Sequence, residues 1–405
     1  MRNGRSLKEK ILSLCDRLEP EFISMRRAFH VIPEASFEEY KTQALVCSYL
    51  KAARIGHRKV PKSTGVLGTL RGDGPVTIGL RTDMDALNLT ERTGLPFASR
   101  HPGFMHACGH DAHMAIVLGG GLVLKYLGSD LPGNVRLIFQ PAEETSPGGA
   151  LTMIRGGALR APTVSAVLGL HVDPVIRAAR VAVNPGTISA AADEFRVTIT
   201  GKGGHGSSPH KSVDAIAVAA DFITALQTIV SRRVSPMESV VVSIGRITGG
   251  ERCNIIAERV DLEGTIRTKT AKLRKQVPAM IRRLLRATCS GHGASGRFEY
   301  RGGYPPVVCD PALSALVTSA CSDILGRSRT TTSPGLEMGG EDFAYYAQKV
   351  PAVMMFVGVG KGAGARPYLL HHSRFDIDES ALRTGVAALA YSAYRYLAQA
   401  GGKGS

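Results

Sequence analysis

Several short apolar runs in this chain end in polar clusters, and that pattern constrains the fold more than any other feature. Residues 76–80 run into Arg81-Thr82-Asp83-Met84-Asp85, residues 135–139 into Gln140-Pro141-Ala142-Glu143-Glu144, and residues 166–170 into His171. Such runs, bounded by turn formers, read as strands, and a long apolar helix over 112–127 alternates with them. Alternation of this kind predicts an α/β sheet with helices on its faces. Residues 26–50 also carry apolar positions near helical spacing. In open α/β sheets, sites form where the strands' carboxyl ends run out. The acids and His171 are therefore expected to meet in one crevice.

The middle of the chain reads differently. Residues 195–200 alternate, 214–230 are helical, 239–247 and 259–267 are strands, 272–288 are a helix and 297–300 a short strand. The order β-α-β-β-α-β is that of a ferredoxin-like unit. After Tyr304-Pro305-Pro306 the α/β pattern resumes, with a helix at 311–325, a strand at 352–357 and a terminal helix from about 380 to 397. A length of 405 residues fits two domains. The expectation is an α/β domain made of 1–187 and 303–405, interrupted by an inserted domain at 188–302.

Segment 105–113 holds three His, one Cys and one Asp. Cys108 and His110 are two apart, so on a turning segment both can face one point, and thiolate with imidazole suits zinc and similar ions. A structural zinc site would need four local ligands, which are absent. His113 falls inside the following helix and is a weaker candidate. Glu143 and Glu144 could be merely a solvated loop, but beside a metal one carboxylate can bind the ion while its neighbour takes a proton from water. Asp83 and Asp85 are either turn-capping residues or a second acidic pair serving the site, and His171 is either a core histidine or a ligand. The Gly-rich tract 201–210 lacks the spacing of a phosphate-binding P-loop.

Composition narrows the function classes. The formal charge is +16, yet the basic clusters are only pairs and there is no Trp, so nucleic-acid binding is not expected. Attraction of anionic substrates or a simple solvated basic surface remain as readings. Seven scattered cysteines argue for a reducing compartment rather than a disulfide framework. The N-terminus has no signal-peptide core, and the apolar runs at 115–124 and 352–359 fall short of the ~20 residues that span a bilayer. A cytoplasmic protein without a membrane partner is expected.

Taken together, Asp83-Met84-Asp85-Ala86-Leu87, residues 105–113, residues 140–144, Gly203-Gly204-His205 with Pro209-His210, Glu341-Asp342-Phe343 and Leu370-His371 resemble the M20 metallopeptidases. The set is most similar to their aminoacylase/hippurate hydrolase branch, which includes auxin-conjugate hydrolases. Arg27-Ala28-Phe29-His30, Pro33-Glu34 and Thr42 fit as well, and the resemblance runs in order from about residue 20 to 395. It implies a zinc-peptidase-like catalytic domain with an inserted ferredoxin-like lid/dimerisation domain, and a homodimer or dimer-based oligomer. It further implies two divalent ions (Zn, Mn, Co or Ni), with Cys108 bridging them. His110 and His171 would complete one site, and Glu144 and His371 the other. Glu143 would be the general base, and Asp85 would orient the bridging end. His205 would reach the reaction centre, and Asn254 and Arg267 would contact the substrate carboxylate. The implied substrate is an N-acyl amino acid; a dipeptidase or carboxypeptidase is the rival on the same scaffold, and a non-catalytic metal- or ligand-binding protein the rival of another class. The chain departs from the family pattern at Ile255-Ile256-Ala257 and at Ser373. The doublet His371-His372 offers two candidates for the last ligand, and alignment through Phe375 and Asp376 favours His371.

Overall fold

The computed structural model describes residues 6–333, 335–362 and 368–401. The chain forms two compact units, one of Met1–Gly186, Val308–Gly335 and Asp342–Ser405, the other of Thr187–Val307 with Leu336–Glu341. The short return of 336–341 to the second unit has no counterpart in the linear pattern.

The larger unit begins with α1 (Leu7–His30), started by a reciprocal cap in which Ser6 Oγ accepts from the Glu9 amide and Glu9 Oε2 accepts from the Ser6 amide. Then come α2 (Tyr40–Ala52), β1 (Gly56–Lys59), β2 (Val66–Leu70), β3 (Thr77–Asp83), α3 (His110–Tyr126), β4 (Asn134–Gln140), the short α4 (Ala150–Arg155), β5 (Ala166–Arg177), β6 (Val181–Val183) and β7 (Gly186–Thr187). The helical spacing over 26–50 is thus two helices parted by a loop, because Pro33 pushes the residue before it out of the helical region. A second difference is that β5 continues through His171 to Arg177, so that histidine lies within a strand.

The smaller unit contains β8 (Ala191–Thr200), β9 (Gly204–His205), α5 (Ala215–Thr228), β10 (Val240–Gly249), β11 (Ile255–Ile256), β12 (Arg259–Thr268), α6 (Ala271–Gly291) and β13 (Ser295–Tyr304). Its sheet has the order β10-β12-β8-β13 with antiparallel neighbours, the ferredoxin-like arrangement. Phe195, Val197 and Ile199 alternate inward against Val218 and Phe222 of α5 and Val277 and Ile281 of α6. Residues 215–233 are also, among the described residues, the one helical run long and apolar enough to cross a membrane by length and composition, a run the sequence reading passed over. Its apolar positions Val218, Phe222 and Leu226 are buried against the small sheet.

The chain then returns to the larger unit through β14 (Val308–Cys309), α7 (Pro311–Leu325), β15 (Thr330–Thr331), α8 (Ala344–Ala347), β16 (Ala352–Gly360) and α9 (Ser380–Gly401). The main sheet has the order β1-β2-β4-β3-β5-β16-β6-β15. β3, β4 and β16 are buried along their whole lengths, as expected of strands covered on both faces. Helices α1, α3 and α9 pack together, and Gly119 permits it: a Cβ there would lie 2.7 Å from Val386 and 2.9 Å from Phe22.

Register places the site. β3 runs parallel to both β4 and β5, with Asp83 opposite Gln140 and Arg81 opposite Gly169. Two residues on from Gly169, His171 is level with Asp83, and the residues after β4 emerge beside both.

Candidate metal centre

Segment 105–110 is brought to the end of β3 by a two-way bridge, Leu87 N–H to Met105 O and Met105 N–H to Leu87 O, each 3.0 Å. Gly109 then turns the chain at φ +84°, a conformation suited to glycine, and a Cβ there would meet Val172 at 2.4 Å. The turn starts α3 at His110 and lets Cys108 and His110 face the same point. On the other side, the His371 amide donates to Ala107 O at 2.8 Å.

Two sets of donor atoms share Cys108. Those of Cys108, His110 and His171 lie within 4.8 Å of one another, and so do those of Cys108, Glu144 and His371. Cys108 Sγ is 3.5 Å from His171 Nε2, and Glu144 Oε1 is 3.4 Å from His371 Nε2 and 3.9 Å from His110 Nε2. Ligands at about 2.0–2.3 Å from an ion stand roughly 3.3–3.8 Å apart around a tetrahedron, so the separations of 3.5 Å and 3.4 Å within the two sets suit divalent ions. The imidazoles are also oriented for ligation. His110 Nδ1 donates to the Asp85 carbonyl at 2.8 Å and His171 Nδ1 to the Val172 carbonyl at 2.8 Å, which leaves each Nε2 with its lone pair. His110 Nε2 is buried and has no hydrogen bond among the described residues, an expensive state unless something accepts that lone pair. The S, N and O donors therefore fit borderline divalent ions such as zinc.

The electrostatics point the same way. Burial and the Glu144 and Glu143 carboxylates push the Cys108 thiol well above its ordinary range, so a cation is what would hold it as thiolate. Burial disfavours charge on His110, but Asp83, Asp85 and Glu144 outweigh it and lift the imidazole to about 10, so the site favours positive charge at Nε2 and an ion bound there takes the place of a proton. Asp85 is fully buried and organises the acidic loop. Its Oδ1 accepts from the Glu143 amide at 3.0 Å, and its Oδ2 accepts from the Glu144 amide at 3.0 Å and from Ser36 Oγ at 2.7 Å. Burial raises its carboxyl, but the His110 imidazole beside it, with the Ser36 and Glu144 bonds, holds it below the usual range.

Several of the other candidates are supports. His113 Nε2 accepts from the Val172 amide at 2.9 Å, so its Nδ1 carries the proton and donates to Asp83 Oδ1 at 2.7 Å. With both ring nitrogens spent, His113 has no lone pair for an ion, although it lies near Asp83 and His110. Asp83 is further held by Arg81 at 2.8 Å. Of the histidine doublet, His371 is the one at Glu144, whereas the His372 ring stacks on Tyr368 and its Nδ1 accepts from the Arg374 amide.

On the smaller unit, β9 pairs with β11, which sets His205 opposite Ile255 beside Asn254, whose carbonyl accepts from the Gly206 amide at 2.9 Å. His205 is exposed, and its Nδ1 accepts from the Ser207 amide at 3.1 Å, so the ring proton sits on Nε2. Arg267 is on β12, opposite Ala192 and close to Gly340, apart from the β9–β11 ladder.

Sequence reasoning missed Ser36 and Glu39. Glu39 is buried and accepts from the Ala142 amide at 2.8 Å, fixing the turn at φ +54° that precedes Glu143. Both residues lie in the loop hidden within the apparent helical spacing of 26–50; Pro33 was the signal for it. Asp342, which the sequence shows only as part of the Glu341-Asp342-Phe343 motif, accepts from Arg81, Gln140 and the Ala150 amide behind the strand ends.

Residues 79–395 match the family model for peptidase family M20/M25/M40. A protein of Synechocystis sp. named "Probable hydrolase" is 42% identical over 389 residues, covering 96% of this chain and 98% of that one. The N-acetyl-L-cysteine deacetylase of Bacillus subtilis is 39% identical over 382 residues, covering 94% and 89%. A solved Bacillus subtilis structure, described as a dinuclear metal binding peptidase from the M20 family, superposes with a TM-score of 0.83 at 33% identity, covering 95% of this chain and 99% of that one. The strand-end cluster, the ferredoxin-like second unit and these likenesses agree: the chain belongs to peptidase family M20/M25/M40 and is a metal-dependent amidohydrolase of that family.

Proposed function

We propose that this enzyme hydrolyses the amide bond of N-acyl-L-amino acids, releasing a carboxylate and a free amino acid. The observation that carries the reading is the pair of donor triads sharing Cys108 with the buried Glu143 beside them. The deacetylase relative, which acts on an N-acetylated amino acid, supports it. Cys108, His110 and His171 would hold one divalent ion, and Cys108, Glu144 and His371 the other; zinc, manganese, cobalt and nickel all suit such donors. When bound, the ions would lower the pKa of a water from about 15.7 toward 7 and polarise the acyl carbonyl.

The chain's residues divide the remaining work. Glu143, on a loop whose amides Asp85 fixes, takes the proton from the attacking water and returns it to the leaving amine. His205 offers an Nε2–H suited to the acyl oxygen as negative charge develops there. Asn254 and Arg267 are proposed to bind the substrate carboxylate, Arg267 through its fork of donors. A homodimer is the proposed assembly, and the seven free thiols suit a reducing, cytoplasmic setting.

The test is to chelate the protein, restore single metals, and screen N-acetyl, N-benzoyl and longer N-acyl amino acids against dipeptides. Metal-dependent release of free amino acid from an N-acyl substrate is expected. Turnover confined to dipeptides, or stoichiometric metal without turnover, would overturn the reading.

A further inference from the structure

The +16 charge finds no use in the metal centre, where the charges acting on Cys108 and His110 are those of Asp83, Asp85, Glu143 and Glu144. In the fold, cations from separate segments of the larger unit gather elsewhere. A groove of about 850 Å³ beside the edge strands β1 and β2 is lined by Arg54, Arg58, Arg71, Lys125 and Arg136, with Asp73 as the one carboxylate among its described lining residues. Small-ligand pockets span roughly 300–1,000 Å³, so the volume is that of a binding site.

Arg136 sets this groove apart from an ordinary basic surface. It sits on β4 and is only 2% exposed. Its Nη2 donates to the carbonyls of Arg160 at 3.1 Å and Ala161 at 2.7 Å, whereas its Nε is buried without a hydrogen-bond partner among the described residues. The charges acting on its guanidinium are those of Arg58 and Arg71, both repulsive. Buried arginines are normally paired, because the desolvation of the cation needs an opposite charge to offset it. Arg58 and Lys125 spend one donor each on the backbone carbonyls of Gly156 and Arg54, which fixes their heads at the rim and leaves further N–H groups to use. An anion would satisfy Arg136 and relieve the mutual repulsion.

We propose that this groove binds a small phosphate-bearing anion at a site separate from the metal centre, with Arg136 as its floor and Arg58 and Arg71 as its clamp. A dianion suits five cations facing one carboxylate better than a single carboxylate ligand does. Guanidinium forks match the oxygen geometry of phosphate. Leu67 and Leu70 give the groove an apolar wall for the organic part of a phosphate ester. Among its described lining residues there is no Phe, Tyr or Trp and a single imidazole, His57, so a row of stacking platforms for single-stranded nucleic acid is missing. The separation from the metal centre follows from α3, which starts at His110 and carries Lys125 in its last turn. At 1.5 Å per residue, the 15 steps from His110 to Lys125 put the groove's rim lysine about 22 Å along the helix from that metal-ligand candidate.

The test is calorimetric titration of the metal-loaded enzyme at constant ionic strength, with inorganic phosphate, glycerol phosphate and a short oligonucleotide as separate probes. One saturable phosphate site per chain is expected in the groove. The doubly substituted Arg58→Gln/Arg71→Gln protein, altered at the rim, should bind about 100-fold more weakly, roughly tenfold per lost charged hydrogen bond, with metal content and amide hydrolysis unchanged. Tighter binding of glycerol phosphate than of phosphate identifies an ester as the ligand, and equal binding identifies the free ion; both uphold the site. Arg136→Met, checked for folding by circular dichroism, should remove the same component. The proposal is overturned by the absence of saturable phosphate binding, by equal affinity in the double variant (which would assign the anion to the metal centre), or by binding of the oligonucleotide alone.

Discussion

The strand-end cluster of the larger unit and the His205 loop of the smaller one hold their histidines in opposite ways. His110 and His171 are 1% and 4% exposed, and each has its Nδ1 tied to a backbone carbonyl. His205 is exposed, stands on a strand of two residues, and among the described residues its ring is hydrogen-bonded by its neighbour Ser207. His110 and His171, which must meet an ion within tenths of an ångström, are built into the core, where packing and second hydrogen bonds leave one geometry; His371, proposed for the second ion, is exposed and is tied in through its amide's bond to Ala107. A donor that meets substrate can stand on a surface loop carried by a scaffold. The difference suggests that metal retention and turnover respond separately to substitution.

The largest effect is expected from Glu143→Gln. Turnover should fall about 10³-fold or more while metal content stays at the wild-type level, because the proton carrier is lost and the donor triads are not. Near-wild-type turnover would remove Glu143 from its role. Next, His205→Ala should cost about 10²- to 10³-fold in kcat, with no change in metal content, as befits loss of one oxyanion donor. If that variant loses metal instead, the two regions are not separable in the way described.

Chelation should act on the larger unit's stability. With free metal a thousandfold above its Kd, bound ion contributes about 4 kcal/mol, so the melting temperature of metal-loaded protein should exceed that of chelated protein by several degrees. Identical melting curves would mean that the triads hold no ion.

The buried network behind α3 gives a pH test. Burial opposes charge on His30, but Asp111 at 2.7 Å and Glu91 at 3.2 Å outweigh it and raise the imidazole to about 9. A folded value above the ordinary ~6.5 means the stabilisation is complete below about pH 6.5 and is lost as the pH rises through about 9. Wild-type protein should therefore lose more melting temperature between pH 7 and 10 than His30→Gln does; equal losses would remove His30 from the account. The smallest effect is expected in the other unit. Asp214 caps α5 through the Ile216 and Ala217 amides, and Asp214→Ala should cost about 1 kcal/mol with metal content unaltered. Denaturant unfolding followed alongside metal analysis checks both parts of that statement.

Much of this was legible in the sequence, and the illegible parts share a cause. The strand-end acids, the Cys108–His110 turn and the β-α-β-β-α-β order are local patterns, and register turned them into proximity. The loop carrying Ser36 and Glu39 was not legible, because its flanks keep helical spacing and only Pro33 marks the break. His113 could not be separated from His110 by spacing; the Val172 amide at its Nε2 decides its role, and that contact is 59 residues distant. The basic groove was hidden for the same reason. Arg58, Arg71, Lys125 and Arg136 are isolated or in small groups along the chain, and β1, β2, α3 and β4 assemble them.

In the proposed centre, two ions share Cys108. Metal content of purified wild-type and Cys108→Ala proteins, measured per chain after reloading with one metal, tests it most directly. Close to two ions are expected in the wild type, with loss of both sites' tight binding in the variant, since each triad is left with two donors. A wild type that holds a single ion, or a variant that keeps two, would contradict it.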